Sequence, residues 1–236
     1  VIVTTLILLR HGRSAANAAG VLAGRSPGVE LDDAGLAQAQ KVVERLAGVP
    51  IAEIVCSPMV RCEQTVAPLA KDRGLTPVTE PELAEVDYGS WTGAALKTLF
   101  KEPLWKIVQA HPSAAVFPGG EGLAQMQARA VAAVRRHGAR IAADHGPTAV
   151  WLACSHGDVI KSVLADALAT HLDNFQRIVV DPSSISVVHY TDTRPFVARV
   201  NDLGGDVAGL IPPKPKRRRR AAPRSSDAVV GGTTGS

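Results

Sequence analysis

Apolar positions along the chain fall into two kinds of run that alternate with one another. Nearly continuous apolar stretches occupy 3–9, 51–56, 148–154, 184–190 and 196–200. Runs of that length suit strands, and continuous ones suit strands covered on both faces. Between them, at 33–46, 59–73, 123–143 and 159–169, apolar residues recur every three or four positions, the period of an amphipathic helix. Strand and helix in alternation imply βαβ crossovers and a mainly parallel central sheet with helices on both faces. The expected fold class is α/β, a three-layer α/β/α sandwich. The stretch 82–118 breaks the pattern and holds Trp91 and Trp105. It reads as an excursion over the crevice, part loop and part short helices. No repeat at solenoid periods is present.

Composition changes after about Leu210. Pro212-Pro213, a Lys/Arg run and a Gly/Thr/Ser end carry little that could join a core. The expected organisation is one domain over 1–210 and a disordered basic tail over 211–236. From Lys214 onward seven basic residues face one acid, so the rest of the 236-residue chain carries about −2 of the formal +4. A slightly acidic body argues against a nucleic-acid-binding core. The tail is a solvated segment first, and a weak contact for anionic polymers or lipids second.

Cys56, Cys62 and Cys154 are odd in number and show no C-x-x-C spacing, which fits reduced core thiols and a cytoplasmic enzyme. The apolar start lacks a preceding basic region and is too short to span a bilayer, and Arg10 and Arg13 interrupt any signal-peptide pattern. His111, His137, His145, His171 and His189 show no metal-ligand spacing, and no Walker loop or G-x-G-x-x-G occurs. Neither a metal nor a cofactor is expected. Nothing in the sequence opposes a homodimer.

Chemistry gathers at the strand ends. Arg10-His11-Gly12 closes the first apolar run and Ser155-His156-Gly157 closes a later one. Residues just past the carboxyl ends of strands line the ligand crevice of an open α/β sheet. Imidazole is a competent nucleophile, and guanidinium matches phosphate oxygens. The longer string from Arg10 to Asn17 adds a hydroxyl and an amide in one strand-to-helix turn, the donors a phosphate dianion needs. Cys56-Ser57-Pro58-Met59-Val60-Arg61 places Arg61 one turn into a helix, where a cation is locally unfavourable unless an anion lies against it. Gly157 opens a helix whose backbone N–H groups can face an anion. In the string from Glu82 to Gly93, Glu85 lies among Val86, Tyr88 and Trp91. Apolar surroundings raise a carboxyl pKa and so make a proton donor. Glu82 and Asp87 are rivals that the pattern leaves open. A Ser–His hydrolase built on Ser155 is excluded, because adjacent Ser and His cannot face each other and no G-x-S-x-G elbow is present.

Together these pieces resemble the histidine phosphatase superfamily in its phosphoglycerate-mutase-like branch. The matching segments are 9–17, 31–39, 56–61, 83–93, Pro118-Gly119-Gly120-Glu121 and 155–157, in family order, within a span from Val3 to about Val200. The resemblance implies His11 as the phosphorylated nucleophile and Glu85 as the proton donor, with Arg10, Arg61, His156 and Asn17 around the phosphate. It implies a small phosphorylated metabolite as substrate. Arg13 stands where the family usually has an acidic or amide residue, which adds positive charge at the pocket rim. Gly122 stands where a serine often follows Gly-Gly-Glu. The segment between Glu85 and His156 is short compared with the glycolytic mutases and lacks their arginine- and proline-rich stretch. Hydrolysis of phosphomonoesters is therefore the expected activity. A phosphomutase of the phosphoglycerate mutase type is the first alternative. A binding or scaffold protein acting through its basic tail is the second.

Overall fold

The computed structural model describes residues 3–205. The basic run and the expected boundary at 210 lie outside the described residues. Among the described residues six strands form one sheet: β1 (Val3–Arg10), β2 (Ile51–Cys56), β3 (Val78–Thr79), β4 (Val150–Ser155), β5 (Ile185–Thr191) and β6 (Pro195–Asp202), in the order β3-β2-β4-β1-β5-β6. Neighbours from β3 to β1 are parallel, and β5 alone runs against the rest. The five expected strands are all present. The two-residue β3 is an addition too short to leave a pattern.

Helices α2 (Asp33–Arg45) and α3 (Val60–Arg73) cover one face; α6 (Leu123–His145) and α7 (Gly157–Ala167) cover the other. The alternation of side chains across each strand makes this division. Ile7, Leu9, Ile54, Leu152 and Cys154 pack with Val42, Cys62, Val66 and Leu69 on the first face. Leu6, Leu8, Val55, Trp151 and Ala153 pack with Met126, Ala130, Val134, Val159 and Val163 on the second. Both cores are sealed, so the strands read as continuous apolar runs, as parallel strands covered on two sides do.

Sheet order explains where function gathers. β4 inserts between β1 and β2, so the segments leaving the carboxyl ends of three adjacent strands begin side by side. The irregular excursion folds as short 3-10 turns with α4 (Leu96–Leu99) and α5 (Pro103–Ala110). Tyr88, Trp91, Trp105 and Phe117 tie it together through edge and stacked ring contacts. It closes on itself where Gly89 meets Gly120. Gly89 has φ +51, and a Cβ on either glycine would run into backbone carbonyl oxygen, of Pro118 and Asp87 respectively.

All three cysteines are free and buried. Among the described residues no helix is long and apolar enough to cross a membrane. A groove of about 550 Å³ on the α2 face, lined by Ile7, Leu46, Val49 and Val187 among others, contains none of the residues singled out for chemistry.

Candidate active site

Strand β1 delivers Arg10 and His11, and β4 delivers His156, at matching heights: Arg10 pairs with Ser155, and the His11 N–H donates to the Ser155 carbonyl at 3.0 Å. The two imidazoles lie 5.2 Å apart, centroid to centroid. Both are buried, as are Arg10, Arg61 and Glu85.

The His11 Nδ1 lies 2.7 Å from the Gly12 carbonyl oxygen. A carbonyl can only accept, so Nδ1 carries the proton and Nε2 keeps its lone pair. Burial, with Arg61 and then Arg10 nearby, drives the His11 pKa well below the usual histidine value. The imidazole is thus held neutral, with one nitrogen oriented and the other basic. Gly12 is itself fixed by donating its N–H to Thr65 Oγ1 at 2.9 Å.

Arg61 does not pair with Glu63 or Asp72 at the surface. Its Nη2 donates to the Gly24 carbonyl at 2.9 Å and meets His156 Nδ1 at 3.0 Å. Guanidinium only donates, so His156 accepts there, and its Nε2 faces the Ser57 hydroxyl at 2.8 Å. Burial, Arg61 and His11 keep the His156 pKa well below normal. The Arg10 Nη1 donates to the Val180 carbonyl at 2.6 Å. Beside it, Ser183 adopts a left-handed φ of 61 and donates its N–H to the carbonyls of both Arg10 and His11. Such strain in a non-glycine residue tends to collect at functional sites.

Of the three rival carboxylates only one reaches this cluster. The Glu85 side chain is 5% exposed and its Oε2 lies 3.7 Å from His156 Nδ1. Glu82 is 43% exposed and pairs with Arg136 at 2.8 Å. Asp87 is 42% exposed and faces Arg25 at 3.9 Å. Burial, and then the charge of Asp158, push the Glu85 pKa up to about 7, against the pull of Arg61 and Arg10. A carboxyl that carries its proton near neutrality sits within one pocket with an imidazole that does not.

Two expected members are placed differently from the others. Asn17 is on the short α1 (Ala15–Ala19), where its Oδ1 accepts from the Ser14 N–H and hydroxyl in a capping box. Its amide nitrogen is the group left to donate to an anion. Gly157 is the first residue of α7, directly after His156. Arg13 does not present a free charge at the rim, because its Nε is bound to Asp32 at 2.7 Å.

The pattern of residue types gave no signal for the brace behind Glu85. Arg129, on α6, holds Glu121 through two bonds of 2.9 and 2.6 Å and also donates to the Glu82 and Glu85 carbonyls. Arg25 donates to the Glu85 carbonyl at 2.8 Å and to Glu121 at 3.0 Å. Glu121 in turn accepts from the Asp87 N–H. The Gly-Gly-Glu segment therefore clamps the backbone that carries Glu85. Among the described residues no group of His, Cys, Asp and Glu side chains is arranged to hold a metal ion.

Known proteins share this arrangement at the level of family and fold. The chain is 26% identical to phosphoserine phosphatase 1 of Hydrogenobacter thermophilus over 199 residues, 83% of this chain and 91% of that protein. It is 30% identical to a probable phosphoglycerate mutase, GpmB, of Yersinia pestis, over 87% of this chain and 94% of the relative. A putative α-ribazole-5′-phosphate phosphatase from Escherichia coli superposes with a TM-score of 0.73 at 25% identity, over 85% of this chain and 97% of the other. Residues 6–203 match the model of the histidine phosphatase superfamily, branch 1, and the chain belongs to that family.

Proposed function

We propose that the protein is a metal-independent phosphatase that hydrolyses small phosphomonoesters through a phosphohistidine on His11. The observation that carries the reading is the burial of two imidazoles, two guanidinium groups and one carboxyl in a single cluster, with the His11 and His156 rings 5.2 Å apart and Glu85 Oε2 3.7 Å from His156 Nδ1. A lowered His11 pKa and a raised Glu85 pKa support the roles of nucleophile and acid. Neutral His11 attacks phosphorus through Nε2. The bond to the leaving alkoxide breaks, and the alkoxide takes the Glu85 proton. Glu85, now a carboxylate, removes a proton from water. The water oxygen attacks the phosphohistidine, releasing inorganic phosphate and restoring both groups.

Arg10, Arg61 and His156 supply charge and donors to the phosphoryl oxygens, with the Asn17 amide and the Gly157 N–H at the edge. The Ser57 hydroxyl can accept or donate. When an anion draws Arg61 away from His156, Ser57 can donate to Nε2, and the proton on Nδ1 then points at phosphate.

Hydrolysis is favoured over mutase action by what surrounds the site. A mutase must hold a second anionic group of its substrate while the phosphoryl group is returned. The nearby arginines are already matched: Arg13 by Asp32, and Arg25 and Arg129 together by Glu121 and Asp87. A screen of phosphorylated metabolites should give release of inorganic phosphate without isomerisation. Isomerisation of phosphoglycerate outpacing phosphate release would establish the mutase instead. Turnover should also survive exhaustive treatment with EDTA, since guanidinium supplies the charge that a divalent ion supplies elsewhere. Strict dependence on an added divalent ion would contradict the scheme.

In this proposal the catalytic unit lies within residues 1–210, whereas a scaffold protein would act through the tail. Within residues 3–205 the sheet is packed on both faces by helices. A chain truncated after Leu210 should keep its fold and its turnover. Any binding of the full chain to DNA or anionic vesicles should disappear in the truncated form, together with its steep salt dependence. Loss of turnover on truncation would put part of the machinery beyond 210.

A further inference from the structure

Beneath the site lies a buried charge that the mechanism above does not use. Asp158 is the second residue of α7 and is fully buried. The Tyr88 hydroxyl donates to its Oδ2 at 2.9 Å. Lys161, one turn along the same helix and almost fully buried, brings Nζ to 3.6 Å from its Oδ1. Lys161 is held there by a hydrogen bond to Gln176 Oε1 at 3.1 Å and by the face of Phe175. A phenol donor, an ammonium group and the positive end of a helix are the surroundings of a carboxylate anion. Tyr88 belongs to the same short segment as Glu85, so the hydrogen bond that fixes Asp158 also ties the Glu85 segment to α7.

We propose that Asp158 is a positioning residue: fully buried two residues after His156 and hydrogen-bonded to Tyr88, it sets a fixed negative charge beside the Glu85 segment and acts on that carboxyl while touching no substrate. The inference rests on reading Glu85 as the proton donor. Without Asp158 the charged neighbours of Glu85 are mainly cationic. Arg10 comes from β1 and Arg61 from α3, and both favour a carboxylate; Arg129 on α6 and Arg25 reach the Glu85 carbonyl and are paired with Glu121. Lys161 on α7 pulls the same way but more weakly, and the histidines His11 and His156 are held neutral. Tyr88 stays protonated, because burial and Asp158 push its pKa well up. Asp181 also acts on Arg10. Burial is the larger reason that Glu85 keeps its proton, and Asp158 is the anion that adds to it against the two arginines.

The test is the pH profile of kcat/KM on an alkyl phosphate, measured on the full chain. In Asp158→Asn the alkaline limb should move toward acid by about one pH unit or more, since a unit charge within about 12 Å is worth that much at an effective dielectric constant near 20. Asp158→Glu should return it. If Asp158→Asn fails to fold because Lys161 is left unpaired, the double variant Asp158→Asn with Lys161→Met removes both charges. It should shift the limb the same way by a smaller amount. A purely structural Asp158 would lower kcat/KM by one factor at every pH and leave the limb in place, which would overturn the proposal. Glu85→Gln separates the two levels. If it leaves the alkaline limb intact, Glu85 is not the acid. If it removes the limb while Asp158→Asn does not move it, only the inference about Asp158 fails.

Discussion

His11→Ala should abolish turnover, with a loss of at least about 10³-fold, because removing a covalent nucleophile leaves only what binding and electrostatics supply. Rapid quench of the wild type with labelled substrate should trap a phosphoprotein that is labile to acid and stable to base. The same experiment on the variant should trap none. The imidazole is uncharged in the folded protein, so its loss strands no ion. The Gly12 carbonyl loses one hydrogen bond, and the Gly12 N–H keeps Thr65. The fold should survive, and circular dichroism of the variant checks it. A variant that keeps more than a trace of the wild-type rate would remove His11 from the nucleophile's role. The wild-type profile should show an acid limb well below pH 6.5, because protonation silences Nε2 and burial beside two arginines holds that protonation down.

His11 and His156 were legible in the sequence because each closes a strand-length apolar run. The carboxyl ends of β1 and β4 then meet by sheet order alone. Arg61 was legible as an anomaly, a cation in the first turn of a helix, but its contacts with Gly24 and His156 join segments far apart in the chain. The choice among Glu82, Glu85 and Asp87 was not legible. All three share one local pattern, and what separates them is burial imposed from outside. Glu82 is exposed beside Arg136 of α6, while Glu85 is buried against His156. Arg13 shows the same limit, since its charge at the rim is matched by Asp32, a partner the local string does not reveal. The excursion was recognised as irregular. The short helices expected within it are present, but the pattern does not locate α4 and α5, because one or two turns hold too few apolar positions to show a period.

Glu85→Gln should divide the reaction into its two halves. Glutamine keeps the shape and can keep the hydrogen bond that Oε1 accepts from the Val86 N–H. It can neither give nor take a proton. With a poor leaving group such as a sugar alkoxide the rate should fall by roughly 10²–10⁴, the usual worth of general acid catalysis. With p-nitrophenyl phosphate the leaving group needs little protonation, so phosphorylation of His11 should suffer far less. Dephosphorylation still needs a base, and phosphohistidine should accumulate. The wild-type alkaline limb near pH 7, where Glu85 gives up its proton, should vanish in the variant.

Stability should move the other way. The folded pKa of Glu85, about 7, stands above the ordinary 4.5, so an unfolded chain releases this proton first. The stability tied to the proton is complete below about pH 4.5 and is lost as pH rises through 7. Glutamine carries no such cost, so at pH 8 the variant should be the more stable by up to about 3 kcal/mol and melt several degrees higher. At pH 4 the two should melt alike. Equal losses of rate on both leaving groups, with no gain in stability at pH 8, would make Glu85 a structural residue and return the acid's role to Glu82 or Asp87.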